Sequence, residues 1–290
     1  MKVDKLRTVI IYIIIILLGL VCLLPLLNIV AISFSSSAAV EGNMVGLIPV
    51  GFSTAAYKKI LEDSQFWHSF LISVERVVLA LIINFVLIVL MAYPLSKTNA
   101  QFRGRNIYAN LMIFAMLFNG GMIPTFLVVK SYGLLNTVWA LVLPGAVPIF
   151  NVILVMNFFA AVPKELEEAA FIDGANPFQV LTKIFIPISK PVLATVSLFS
   201  IVGSWNDFYS GLIYMSKAAY YPLMTYIQSL QINVEDLIKQ GNLSAVVDSA
   251  SLGNTNLNAA KIVIAVIPLL IYPLLQRYFV SGIVVGSVKG

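Results

Sequence analysis

Few side chains in this 290-residue sequence can do chemistry, and their placement narrows what that chemistry is. His68 is the only histidine and lies at the edge of an apolar run, so no Ser/His/Asp set can be assembled. A lone histidine there is, in the simpler reading, a packing residue. The carboxylates form no metal-ligand cluster with histidine or cysteine, and Cys22, the single cysteine, excludes an intrachain disulfide. No glycine-rich loop ends in Gly-Lys-Ser or Gly-Lys-Thr, so the chain is not expected to bind ATP by itself. Catalysis within the chain is not expected either. Two groups of polar residues remain: the stretch 163–187, PKELEEAAFIDGANPFQVLTKIFIP, and the cluster Ser204-Trp205-Asn206-Asp207-Phe208.

The first group reads as two short helices. Pro163 suits the start of a helix, and Glu165, Glu167 and Glu168 complement the positive end of the helix dipole. Gly174 permits a turn and Pro177 disfavours helix in the residue before it, so the first helix ends there and a second restarts at Pro177. The consecutive Ala169 and Ala170 keep one side slim enough to enter a groove on a partner, while carboxylates and lysines around them stay solvated. An amphipathic helix lying at a membrane interface is the competing reading.

These residues sit in a chain that is 60% hydrophobic and 11% charged, with strongly positive mean hydropathy. That composition places it among integral membrane proteins. Apolar runs long enough to cross roughly 30 Å of hydrocarbon, about 20 residues each, are marked near 9–33, 70–95, 107–129, 136–160, 188–214 and 260–280. The expectation is an all-α protein of six transmembrane helices, preceded by a short terminus at 1–8. The first run is too long for a signal peptide and lacks a small-residue cleavage site, so it reads as an uncleaved span.

With both termini inside, the cytoplasmic segments carry Lys2, Lys5, Arg7, Lys97, Arg103, Arg105, Lys164, Lys183, Lys190, Arg277 and Lys289. The external ones carry Lys58, Lys59, Lys130, Lys217, Lys239 and Lys261. Eleven against six satisfies the positive-inside rule and puts 163–187 in the cytoplasm. The net charge of +5 follows from this bias and is no sign of nucleic acid binding.

Two external segments are long. Residues 35–69 contain turns and then an amphipathic stretch around Tyr57 to Phe66; residues 215–259 hold an amphipathic helix near 223–240 and a small-residue polar tract. The second is a solvated loop or a docking surface for a binding protein. Glycine and proline interrupt several spans, at Asn119-Gly120-Gly121 and Pro124, at Pro144, Gly145 and Pro148, at Gly203, and at Pro268 and Pro273. Helix packing and a path that opens both account for such breaks. Apart from Lys190, Lys261 and Arg277 at the span ends, the charged residues within spans are Glu75, Arg76 and Asp207. The first two fall near the outer interface, where solvation is the simpler reading. Aromatic, amide and carboxylate groups suit sugar hydroxyls and ring C–H groups. Trp205, Asn206 and Asp207, with Asn119, are therefore candidates for a translocation path, against an account in which they only join helices.

The spacing Glu168-Ala169-Ala170, three residues, Gly174, nine residues, then Ile184-Phe185-Ile186-Pro187 resembles the EAA motif of ABC importer permeases, with Ile186 where leucine is usual. Together with the six spans, Trp205-Asn206-Asp207-Phe208 and the ending Gln276 to Gly290, it makes the chain similar to carbohydrate-uptake permeases of the MalG-like kind. Ser33-Phe34-Ser35-Ser36 and the final Val-Gly-Ser-Val-Lys-Gly are nearest the LplC/YtcP branch, associated with complex oligosaccharides, including uronic-acid-containing ones.

The resemblance implies a type I ABC importer permease fold over 9–290, in the cell membrane of a bacterium. The partners it implies are a second, different permease subunit, two ATPase subunits that hold ATP and Mg, an extracytoplasmic solute-binding protein and membrane lipid. It implies that Glu168, Ala169, Ala170, Gly174, Ile184 and Pro187 belong to the ATPase-coupling helices. The tail within 281–290, namely Gly286, Ser287, Val288, Lys289 and Gly290, would reach the ATPase interface, and 215–259 would meet the binding protein. An ion-coupled transporter working alone and a non-transporting membrane scaffold are the alternatives. The scarcity of acidic residues and histidine in the spans speaks against the first.

Overall fold

Hydrocarbon leaves no water to satisfy a backbone, so a chain this apolar must be helical where it crosses. The computed structural model describes residues 2–118, 120–229 and 254–266, and among these there is no strand. The described residues divide into two compact units, 2–68 with 226–229 and 254–266, and 69–118 with 120–225.

In the first unit, α1 (Lys2–Ser33) is a long apolar helix exposed along most of its length. Its end turns into α2 (Ser37–Glu41) and an extended stretch held by ring stacking of Phe34 on Phe52 and Tyr57. Next comes α3 (Ala55–Glu62), the predicted amphipathic stretch, with Ala56 and Ile60 buried. The helix Asn254–Val266 packs on α1 and α3, and its Asn256 amide donates to the Ser35 carbonyl at 3.3 Å. Asp63 breaks the chain between α3 and α4 (Ser64–Leu95). Its Oδ1 accepts the Phe66 N–H at 3.0 Å, capping α4, and its Oδ2 accepts from Lys261 Nζ at 2.7 Å and the Tyr226 hydroxyl at 2.9 Å.

The second unit contains the rest of α4, then α5 (Arg105–Leu117), α6 (Met122–Ser131), α7 (Val138–Val142), α8 (Ile149–Ala160), α9 (Lys164–Ile172), α10 (Pro177–Val180), a π-helical turn (Leu181–Phe185), α11 (Ile186–Ile188), α12 (Lys190–Asn206) and α13 (Tyr209–Tyr214). Its main core joins Ile88, Ala92 and Leu95 of α4, Val152, Val155 and Phe159 of α8, and Val192 and Val196 of α12.

Six spans were marked, several of them interrupted by glycine or proline; among the described residues only Arg7–Ser33 and Ser64–Leu95 are single helices long and apolar enough to cross. The expected third span is two helices, α5 and α6, whose axes differ by 112°. The fourth bends by 47° at Pro144 to Pro148, where the missing proline N–H groups break the ladder. The fifth ends early as a helix, because the Asp207 carboxylate accepts the Ser210 N–H at 3.1 Å and starts a new turn. Of the sixth, residues up to Val266 are helical; the remainder of 260–280 lies outside the described residues.

Burial by itself would raise the Asp63 carboxyl, but Lys261, the Phe66 N–H and Tyr226 together hold it below its ordinary 3.8. Its contribution to stability is therefore complete above that value and lost as pH falls through the depressed pKa. Asp63→Asn strands the buried Lys261 ammonium, and a loss of about 2–3 kcal/mol is expected, less than for a wholly buried pair because Asp63 is part-exposed. Thermal unfolding in detergent, followed by size-exclusion fluorescence, measures it; an unshifted midpoint would remove the ion pair from the stabilising contacts.

Candidate functional site

The insert 163–187 folds as its residues dictate. Pro163 precedes α9, with Glu165 and Glu167 in the first turn facing the N-terminal dipole. At the other end the Ala175 N–H reaches the Ala170 carbonyl at 2.9 Å, and the Gly174 N–H reaches Phe171 at 3.1 Å, the paired closure of a Schellman motif. That closure needs a left-handed residue, and Gly174 has φ +82°. Nothing lies within 4 Å of where its Cβ would stand, so the requirement is conformational and not steric.

A capping box then restarts the helix where expected. Asn176 Oδ1 accepts the Gln179 N–H and Gln179 Oε1 accepts the Asn176 N–H, both at 2.9 Å, with Pro177 at the first helical position. The sequence reading used Gly174 and Pro177 and passed over this Asn-x-x-Gln signal. The second helix does not stop at Val180. It continues through the π-helical turn, where the Ile186 N–H bonds to Leu181, into α11, then bends by 84° into α12.

This geometry gives the insert two faces. Val180, Leu181 and Phe185 are buried in the main core, and Ala170, Ile184 and Ile186 pack against it. Glu168, Ala169, Phe171, Ile172 and Phe178 are exposed, with Ile172 at 86% and Phe178 at 66%. Pro187 is also exposed. Between the two helices lies a hollow of about 490 Å³ lined by Ala170, Gly174, Gln179, Lys183 and Ile184. The two alanines thus divide their work: Ala169 keeps the outer side slim and Ala170 borders the hollow. Large exposed apolar side chains beside carboxylates suit a protein partner better than water.

Glu167, which sequence reasoning did not separate from its neighbours, is turned inward. Both of its carboxylate oxygens accept from Lys97 Nζ at 2.7 Å, and Oε1 also accepts from the Tyr93 hydroxyl at 3.4 Å. Lys97 Nζ stands 4.1 Å from the Tyr93 ring centre and 4.3 Å from that of Phe185. Burial pulls the Lys97 ammonium below its ordinary 10.5, against the opposing pull of Glu167.

The second polar group is split by the fold. Trp205 is buried, edge-on to Phe70 at 5.7 Å, while Asn206 is exposed. Asp207 meets Arg76, whose guanidinium bonds to its carboxylate and, at 2.9 Å, to its main-chain carbonyl. Arg76 is therefore not the solvated interfacial residue expected. It is 4% exposed, because a partner 131 residues away in sequence compensates its charge. The pair stands at a cavity of about 220 Å³ also lined by Asn84, Asn151, Ser200 and Ser204. Asn119 and the tail Gly286 to Gly290 lie outside the described residues, as does most of the polar tract in 215–259. Among the described residues no group of three or more His, Cys, Asp or Glu side chains could hold a metal ion.

With this geometry established, residues 2–285 match the family described as binding-protein-dependent transport system inner membrane component. Protein LplC of Bacillus subtilis is 41% identical over 94% of this chain and 91% of its own. The polygalacturonan/rhamnogalacturonan transport system permease protein YtcP of the same organism is 39% identical over 99% of both chains. A chain from the crystal structure of a bacterial ABC transporter involved in the import of the acidic polysaccharide alginate superposes with a TM-score of 0.83 at 32% identity, covering 96% of this chain and 98% of that one.

Gly174→Val should disturb the insert without unfolding the spans. Forcing a branched residue into the left-handed region costs on the order of 1–2 kcal/mol, and Asn176→Ala removes a cap worth about 1 kcal/mol. Hydrogen exchange of the amides in 164–180 should accelerate in both variants, most in the double one, while residues 80–95 of α4, which pack on the core, stay protected. Equal acceleration in both regions would mean that the insert is not a separate folding element.

Proposed function

The chain belongs to the family of binding-protein-dependent transport system inner membrane components, and from that membership we propose that it is one permease subunit of an ATP-driven importer of oligosaccharides. Its fold is all-helical and of the ABC permease type. In this reading six spans, both termini cytoplasmic, form half of a translocation pathway in a bacterial cell membrane. A second permease subunit supplies the other half, and an extracytoplasmic binding protein delivers the sugar, with residues 215–259 in its reach. The chain itself is non-catalytic; ATP and Mg are held by two partner ATPase subunits.

The observation that carries the proposal is the two-faced insert. One side of it is continuous with the core of the membrane unit, while the other presents Glu168, Ala169, Ile172 and Phe178 outward. An element built this way can receive a push on one face and deliver it to the spans behind the other. Closure of the ATPase dimer would draw two such inserts together and shift the spans between inward- and outward-facing populations. Gly286 to Gly290 would add a second contact with the ATPase. Cargo class rests on the relatives: a permease for polygalacturonan and rhamnogalacturonan and an importer of alginate make acidic oligosaccharides the first compounds to screen. In the path, Asp207 would act with Arg76 at the polar cavity, and Asn206 from the exposed side.

Glu168→Arg reverses the charge of an exposed residue on the docking face without touching the core. Co-purified ATPase is expected to fall by roughly tenfold or more, equivalent to ~1.4 kcal/mol, and uptake to be abolished while membrane insertion is unchanged. Gly174→Asp should behave alike. Wild-type uptake in both variants, or a functional chain that retains no ATPase, would turn the assignment towards an ion-coupled carrier or a scaffold.

A further inference from the structure

Glu167 and Glu168 are neighbours that face opposite ways, one buried and one exposed. The buried one meets a cation 70 residues earlier, just past the end of α4, through two contacts of 2.7 Å with both side chains 12% exposed. Lys97 is itself held in place. Its N–H donates to Pro94, and Arg105 Nε donates to the Leu95 carbonyl at 2.9 Å, so the end of α4 is tied off before the loop begins. The rings that flank the ammonium come from different elements, Tyr93 from α4 and Phe185 from the π-helical turn, and meet edge to face at 5.1 Å. Phe185 continues in the same manner to Phe159 of α8 at 5.4 Å.

Thus α4, α8, α9 and the π-helical turn converge on one ion pair. We propose that Lys97 and Glu167 are positioning residues forming a rigid joint that fixes the docking insert to the inner end of α4, so that displacement of the insert moves α4 with it. This rests on the reading of 163–187 as the ATPase-docking element.

Stability alone does not account for the pair. Apolar residues of similar volume would fill the site without desolvating two charges, and buried pairs are often dispensable for stability. What apolar residues would not supply is register. The bidentate contact fixes the azimuth of α9, and the two rings fix the position of the ammonium. Without it, Gly174 and the π-helical turn allow the insert to yield locally under load.

The test uses the full assembly of this chain with its partner permease, ATPases and binding protein. Spin labels are placed at the exposed Asn99→Cys and Glu165→Cys in a Cys22→Ser background. The wild-type distance distribution is expected to be narrow, with the same mean in nucleotide-free and vanadate-trapped states. Glu167→Gln and Lys97→Met should broaden it at least twofold while ATP hydrolysis persists, and Lys97→Arg, which keeps the cation over the rings, should restore the narrow form.

A narrow distribution in Glu167→Gln and Lys97→Met, or a wild-type mean that changes on trapping, overturns the joint. If the single variants do not assemble, Lys97→Met with Glu167→Met leaves no lone buried charge and is held to the same criterion; its failure to assemble assigns the pair to folding and overturns the proposal. The premise fails separately. A wild-type permease pair that binds no ATPase refutes the docking reading, whereas the width of its distance distribution still decides for or against the joint.

Discussion

Phe185 is where the insert 163–187 joins the core of its unit. Its ring lies edge-on to Phe159 and to Tyr93 and beneath the Lys97 ammonium, and it belongs to the same buried cluster as Val152, Val155 and Val196. A charged loop of some two dozen residues would ordinarily float on the surface, since it lacks enough apolar area to offset its own ordering entropy. This one is anchored because its second half is apolar on one side and continues, through the π-helical turn, into a span. The rest of the insert inherits its position from that anchor. Val180 and Leu181, buried in the same cluster, share that anchoring.

Two aspartates solve a related problem elsewhere. Asp63 and Asp207 each stand where a helix is interrupted. Each uses Oδ1 to cap the turn that follows, accepting from Phe66 and Ser210, and Oδ2 to hold a cation distant in sequence, Lys261 or Arg76. The arrangement answers two needs with one side chain. A broken helix leaves the first N–H groups of the next one without partners, and a buried lysine or arginine needs a counter-charge. A carboxylate at the break meets both, and the break itself becomes a fixed feature of the fold.

How much of this was legible in the sequence follows from the range of each interaction. The insert's boundaries are local: Pro163, Gly174 and Asn176-Pro177 act on their own backbone, and the helices begin and end where those residues place them. The bend at Pro144 to Pro148 is local in the same sense. The inward turn of Glu167 was not legible, because nothing between two adjacent glutamates says which faces a lysine 70 residues away. Arg76 was misread for the same reason. Taken alone it belongs at an interface, and only the contact with Asp207, 131 residues on, allows its burial. The break at Asp207 could have been found locally, since an Asp three residues before a serine N–H is a recognised cap. The apolar run around it concealed that signal.

The exposed face of the insert follows from the same anchor. With Val180, Leu181 and Phe185 committed to the core, helical geometry leaves Phe178 outward, and Ile172 near the end of α9 is exposed as well. Exposed bulky apolar side chains thus stand before and after Gly174 in sequence, with the slim Ala169 and the carboxylates of Glu165, Glu168 and Asp173 exposed beside them. Such a surface is poorly suited to lipid, because Glu165, Glu168 and Asp173 would have to be dragged into the interface with it. It is well suited to a protein cleft with an apolar floor and cationic walls. The hollow lined by Ala170, Gly174 and Ile184 lies on this same element, and a side chain entering it would touch residues that pack directly on the core.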